Sequence, residues 1–274
     1  MNRLTVFLAA LTVMAPCAEA LQSTTPPSPP EHAAQQPAAQ APVLTERQKA
    51  EMQADLLMGQ KQYSEAVAAY SAILKQEPKN LTLLNKAGVA CQGGGDFHCA
   101  ERFYKKALKA QKNNSTALNN LGTLEYNWRK YRKAIRYYEK AIQSQGDVAT
   151  YYSNLGYAQF DDKQVNAAIN SFQKAIQLDP DIFTRRGGTG AVVQQRGMDD
   201  PGSFYFFVAK SFALSGDAEH CAHFLKMSRD EGYKDYLGAL KDPAFAKVIK
   251  DPRVREILEP QKSDAQPSER PLEL

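Results

Sequence analysis

A period of 34 residues constrains this chain more than any other property it has. Segments beginning at Arg47, Leu81, Ser115 and Ala149 superimpose without gaps. Their eighth positions read Ala54, Gly88, Gly122 and Gly156, and their twentieth read Ala66, Ala100, Ala134 and Ala168. The twenty-fourth carry Tyr70, Tyr104, Tyr138 and Phe172, and the twenty-seventh Ile73, Ala107, Ala141 and Ala175. Within each unit the apolar residues recur at i, i+3, i+4 and i+7, the spacing of a helix face. A break near the fourteenth to sixteenth position, at Gly93-Gly94-Gly95 or Asn127-Trp128, splits each unit into an antiparallel helix pair. Small residues facing each other let the two backbones approach closely, and the aromatic one turn further on fills the space beside that contact.

This pattern resembles the tetratricopeptide repeat family. The motif L-G, then A-x3-aromatic, then Pro is present as Leu121-Gly122 with Ala134 and Tyr138, and as Leu155-Gly156 with Ala168, Phe172 and Pro180. The first unit lacks the Leu-Gly pair but keeps Tyr63, Ala66, Tyr70 and Pro78, and Leu84, Leu118 and Tyr152 replace the family's early Trp. The resemblance implies an all-α fold, an α-solenoid of antiparallel helix pairs coiled as a right-handed superhelix. The four units are 47–80, 81–114, 115–148 and 149–182, within 45–182.

Outside the units the composition changes. Arg3, the apolar stretch Leu4–Met14 and Ala18-Glu19-Ala20 read as a signal peptide, residues 1–20, cut after Ala20. Export to the periplasm or the outside is therefore expected. Cys17 does not fit a lipid anchor well, because Pro16 precedes it where a small residue is needed. Six prolines among Ala and Gln make residues 21–44 an extended linker with no core of its own. Thr45 and Gln48 form a capping box that starts the first helix. After the fourth unit, 183–202 reads as an inserted loop. Its Gly187-Gly188-Thr189-Gly190 lacks the Lys-Ser/Thr of a phosphate loop. Residues 203–258 read as a degenerate fifth unit, with Ala209 and Cys221 in the small slots, followed by capping helices. Asp242-Pro243 and Asp251-Pro252 would begin those helices. Their apolar stripe of Phe245, Val248, Ile249, Val254 and Ile257 would cover the last unit, as a solenoid's end requires. Residues 259–274 read as a polar, proline-bearing tail.

Candidate chemistry is sparse. Cys91 and Cys99 face each other across the glycine turn of the second unit. Two readings are open: a disulfide closing the hairpin, or two small buried thiols. Their spacing is not that of a redox-active C-x-x-C. His220, Cys221 and His223 share a helix but lack the further ligands of a metal site. No recognisable catalytic motif occurs, so neither an enzyme nor a cofactor is expected. No apolar run is long enough to span a bilayer.

Charge is distributed unevenly. Between 81 and 148, twelve lysines and arginines stand against five acids, a surplus of +7 in a chain of net charge +4, so the remainder sums to −3. Most of these bases fall on the second helices, which in the family line the convex side. They are either a solvated face or a surface for an acidic partner, a lipid head group or an anionic envelope polymer. Nucleic acid is disfavoured by the expected export.

The family's first helices line a concave surface that holds peptides or a partner's helix. Carried over, that groove comprises Asn85, Lys86, Asn119, Asn120, Thr123, Tyr126, Asn154, Tyr157 and Phe160. Asn amides can bond both donor and acceptor of a peptide backbone, and the aromatics add apolar area. Lys86, Asn120 and Asn154 match part of the family's clamp for chaperone C-termini. The paired basic residues of a further unit are missing, which argues against that ligand. The expected function is an exported scaffold that binds a protein or peptide. The alternative is an envelope-structural protein held on an anionic surface through 81–148.

Overall fold

The computed structural model describes residues 44–184 and 200–259. The leader 1–20, all but the last residue of the linker, residues 185–199 of the insertion and residues 260–274 of the tail lie outside them. Among the described residues there are eleven α-helices, two short 3-10 helices and no strand. The helices are α1 (Glu46–Gly59), α2 (Tyr63–Leu74), α3 (Leu81–Gly93), α4 (Phe97–Ala110), α5 (Ser115–Asn127) and α6 (Tyr131–Ser144). They continue with α7 (Ala149–Asp161), α8 (Val165–Leu178), α9 (Pro201–Ser215), α10 (Ala218–Asp230) and α11 (Pro252–Leu258). From α1 to α10 each helix packs on the next, and α11 returns onto α10. The result is a solenoid of consecutive helix pairs.

The helix boundaries have local causes. Thr45 caps α1 with the reciprocal bonds of a capping box: the Gln48 N–H donates to Thr45 Oγ1, and the Thr45 N–H donates to Gln48 Oε1 at 2.8 Å. Asn80 and Asn114 cap α3 and α5, each accepting the N–H three residues on. Asp96, Asp200 and Asp217 do the same for α4, α9 and α10. Between the helices of a pair, the fifteenth residue takes a left-handed conformation: Lys61, Gly95, Arg129, Lys163 and, in the fifth unit, Gly216. Only two of the five are the glycines that this conformation favours.

Contact within a pair is closer than facing small residues alone would produce. A Cβ added to Gly88 would lie 2.3 Å from the Tyr104 ring, and one added to Gly156 would lie 2.3 Å from Phe172. Gly122 stands in the same relation to Tyr138. The eighth-position glycine is thus the seat of the twenty-fourth-position ring, and the ring sits on the contact rather than beside it. In the second unit Cys91 and Cys99 form a disulfide across the turn, with Cα atoms 5.7 Å apart.

The core changes character along the chain. From α1 to α5 it is mainly Ala and Leu with Tyr70 and Tyr104. Towards the C-terminus it is dense in aromatics, among them Phe160, Phe172, Phe204, Phe206, Phe212, Phe224 and Phe245. Ala209 and Cys221 are fully buried in the fifth unit, and burial pushes the Cys221 thiol up to about 12. The end of the array is closed less regularly than expected. Asp242-Pro243 opens a three-residue 3-10 helix, Pro243–Phe245, rather than an α-helix, and a further 3-10 stretch runs over Lys234–Leu240. Phe245, Val248, Val254 and Leu258 are buried there, while Ile249 and Ile257 are partly buried against the same cluster. Lys210 reaches Asp242 at 2.6 Å and ties this cover to α9.

Candidate partner-binding face

Side chains 29 to 35 residues apart bond α1 to α3, α3 to the cap of α5, and α5 to α7, the first helices of successive units. Lys86 of α3 donates to Glu51 at 2.9 Å and to Asp55 at 2.7 Å, both on α1. The Asn154 amide of α7 donates to Asn119 Oδ1 of α5 at 2.9 Å. The Tyr126 hydroxyl of α5 donates to Asp161 of α7 at 2.5 Å. Glu51 with Lys86, Asn119 with Asn154 and Tyr126 with Asp161 pair adjacent register positions of successive units, and Asn85 of α3 donates to Asn114, the cap of α5, at 3.2 Å, so these bonds form a ladder across units.

Electrostatics tighten the first rung. Tyr70 of α2 also donates to Asp55, at 2.5 Å. Burial works against the Asp55 charge, but the hydrogen bonds from Lys86 and Tyr70 outweigh it and hold the carboxyl below its usual range. For Lys86 the loss of water is likewise outweighed by the two carboxylates, and its pKa is raised. Burial, then the bond to Asp161, pushes the Tyr126 hydroxyl far up, so it stays a donor.

The nine expected groove residues do not all reach solvent. Asn85, Asn119, Thr123, Tyr126, Asn154, Tyr157 and Phe160 are buried; only Lys86 and Asn120 are half-exposed. Tyr157 is 1% exposed and stacks on Phe204 of α9 at 5.0 Å, and Phe160 lies 5.6 Å from Phe204 and 5.8 Å from Phe207. Thr123 accepts from Tyr138 at 3.2 Å. These residues act first as glue between helices, because the inner-face register also faces the next unit. Asn85 Oδ1 and Asn154 Oδ1 are buried acceptors that no donor reaches among the described residues. Open to solvent on the same face are Met52 (58%) and Val89 (43%), at the sixth and ninth register positions. The groove expected from the sequence begins at Asn85 and does not include Glu51, Asp55 and Met52 of the first unit. The signal was present: applying the same register to 47–80 places all three on this face.

The remaining candidates are engaged elsewhere. His220 stacks on Phe212 at 4.9 Å, and its Nδ1 lies 2.6 Å from Asp217 Oδ2. Among the described residues no group of three or more His, Cys, Asp and Glu side chains is placed to hold a metal ion. No described helix is long and apolar enough to cross a membrane.

Residues 51–115 and 119–181 match the family model of the tetratricopeptide repeat. These two segments carry tetratricopeptide repeats. Several solved structures are similar to this fold at low sequence identity. The pilF protein of Pseudomonas aeruginosa is 17% identical, with 77% of this chain and 86% of that one covered and a TM-score of 0.50. MamA from Desulfovibrio magneticus RS-1 is 18% identical over 69% of this chain and 97% of its own, with a TM-score of 0.47. YrrB, described as a tetratricopeptide protein with an unusual peptide-binding site, is 17% identical over 70% and 91%, at 0.44. No curated protein matches the chain in sequence.

Proposed function

We propose that this protein is an exported scaffold that captures a protein partner on the face built by its first helices. The tetratricopeptide fold is consistent with an interaction scaffold, and proteins of this kind are generally not enzymes. The observation that carries the proposal is the ladder between units. It fixes Lys86 directly, and Asn120 through Asn119, whose amide donates to Asn120 Oδ1 at 3.2 Å, and it leaves Val89 and Met52 open to solvent on the same face. A face ordered in advance loses less conformational entropy on binding. The partner it suits is an extended segment or helix that offers an apolar side chain to Val89 and Met52 and hydrogen-bonding groups to Asn120. Export rests on the leader read from residues 1–20.

The test compares capture from native extracts by the wild type and by a Val89→Asp, Asn120→Ala double variant of unchanged melting temperature. Loss of one defined partner, restored by the wild-type residues, supports the reading. An unchanged capture profile overturns it. Mass spectrometry of protein recovered from its native host tests export separately, since a mature chain would begin at Leu21.

A further inference from the structure

The outer faces of the second helices are not alike, although the fold asks the same of all four. Exposed register positions eighteen, twenty-two, twenty-six and twenty-nine read Ser64, Ala68, Ala72 and Lys75 on α2. On α4 they read His98, Arg102, Lys106 and Lys109, and on α6 Arg132, Arg136, Lys140 and Gln143. On α8 they return to Asn166, Asn170, Lys174 and Gln177. The neutral residues of α2 and α8 show that stacking does not need positive charge here. The bases of α4 and α6 therefore call for another cause.

Part of this charge is answered inside the molecule. Lys105 meets Glu101 at 2.7 Å, Arg132 meets Asp162 at 3.4 Å, and Lys133 donates to the buried Glu125. Lys106 lies 5.3 Å above the Phe103 ring. Arg102, Lys109, Arg136 and Lys140 are exposed and make no ion pair among the described residues. They extend over the second helices of two successive units as a broad face. At the adjoining α5–α6 turn Trp128 is half-exposed, with the Lys130 ammonium 4.9 Å from its ring and His98 at 5.9 Å. An indole beside a lysine ammonium is suited to a bilayer interface.

We propose that the outer face of α4 and α6 is a docking surface for an anionic phospholipid bilayer. A bilayer offers continuous negative charge and needs no matching cleft, which is the complement of long cations spread evenly over an open face. This proposal does not depend on the partner-binding face, because the two use opposite sides of the same units.

The test is co-sedimentation of the full chain with vesicles. One set is phosphatidylcholine alone, the other an equimolar mixture of phosphatidylcholine and phosphatidylglycerol. The wild type should bind the mixed vesicles and not the neutral ones, and should release them as ionic strength rises. Each cation near such a surface contributes about fivefold in affinity. Arg102→Gln, Lys109→Gln, Arg136→Gln and Lys140→Gln together should weaken binding by about a hundredfold or more. Lys109→Gln or Arg136→Gln alone should give about fivefold. Lys174→Gln on α8 serves as the control and should change nothing. Equal binding to both vesicle types, full binding by the folded quadruple variant, or binding to polyglutamate with none to mixed vesicles would overturn the proposal. The last outcome would reassign the face to an acidic polypeptide.

Discussion

In the third unit, the positions that meet the preceding unit are Ala117, Leu121 and Leu124, all buried. In the first unit the same register positions are Lys49, Gln53 and Leu56, all exposed. The N-terminal end of the array is thus rewritten in polar residues, with Leu56 as the remaining apolar exception at 52% exposure. The C-terminal end is treated otherwise. There the fifth unit keeps an apolar face, Phe206 among it, and additional chain folds over that face. Phe245 lies 5.7 Å from Phe206, and Val254 and Leu258 follow from α11. Both ends answer the same demand, that a stacked repeat must not leave a hydrophobic face open. The polar solution costs no extra chain and adds no core. The covering solution adds a core and makes the end dependent on it.

That difference can be broken by mutation. Phe245→Ala removes a fully buried ring from the cover and should lower stability by about 3–5 kcal/mol in denaturant unfolding. A loss below about 1 kcal/mol would mean that the cover is not packed as described. Gly122→Ala tests the interior that both ends protect. Its new methyl would meet the Tyr138 ring, so a cost of about 1–3 kcal/mol is expected; a neutral result would contradict the close seat. A smaller effect separates the N-terminal end by pH. The folded pKa of Asp55 lies below its usual 3.8, so its contribution is present in full above that value and is lost as pH falls through the folded pKa. Wild type should therefore exceed Asp55→Asn in melting temperature at neutral pH, and the gap should close only in strong acid. A gap that widens on acidification would show the reverse sign. Least of all, Leu56→Gln should stay within about 0.5 kcal/mol of wild type, because among the described residues nothing covers that side chain. A larger loss would mean that the first helix is not an exposed end.

The array itself was legible because its contacts recur. Each unit touches its neighbour through the same positions, so one requirement is written four times, and 34-residue periodicity exposes it. Helix starts were legible at Thr45 and Asp251 because caps act within a few residues. The turns were less so. A left-handed fifteenth residue is announced by Gly95 and Gly216 but concealed by Lys61, Arg129 and Lys163, where the packed helices on either side impose the conformation. The 3-10 character of the end was concealed for a similar reason: the Asp-Pro pairs mark where turns begin, and the surface being covered sets how far each runs.

The face of the first helices divides along the same line. The inward register positions implied by the tetratricopeptide resemblance placed Lys86, Asn120, Asn154 and Tyr157 on it, because position within a period is a local property of the chain. Whether each side chain is open is not local. Tyr157 and Phe160 lie under α9, more than forty residues on in the case of Phe204, and Lys86 is held by carboxylates of the preceding unit. The sequence by itself determined the repeat, the helix pairs and the uneven charge, since these depend on composition and spacing along the chain. Only the tertiary structure decided which polar residues bind one another and which remain free, since burial and pairing depend on what packs above a residue rather than on what stands beside it.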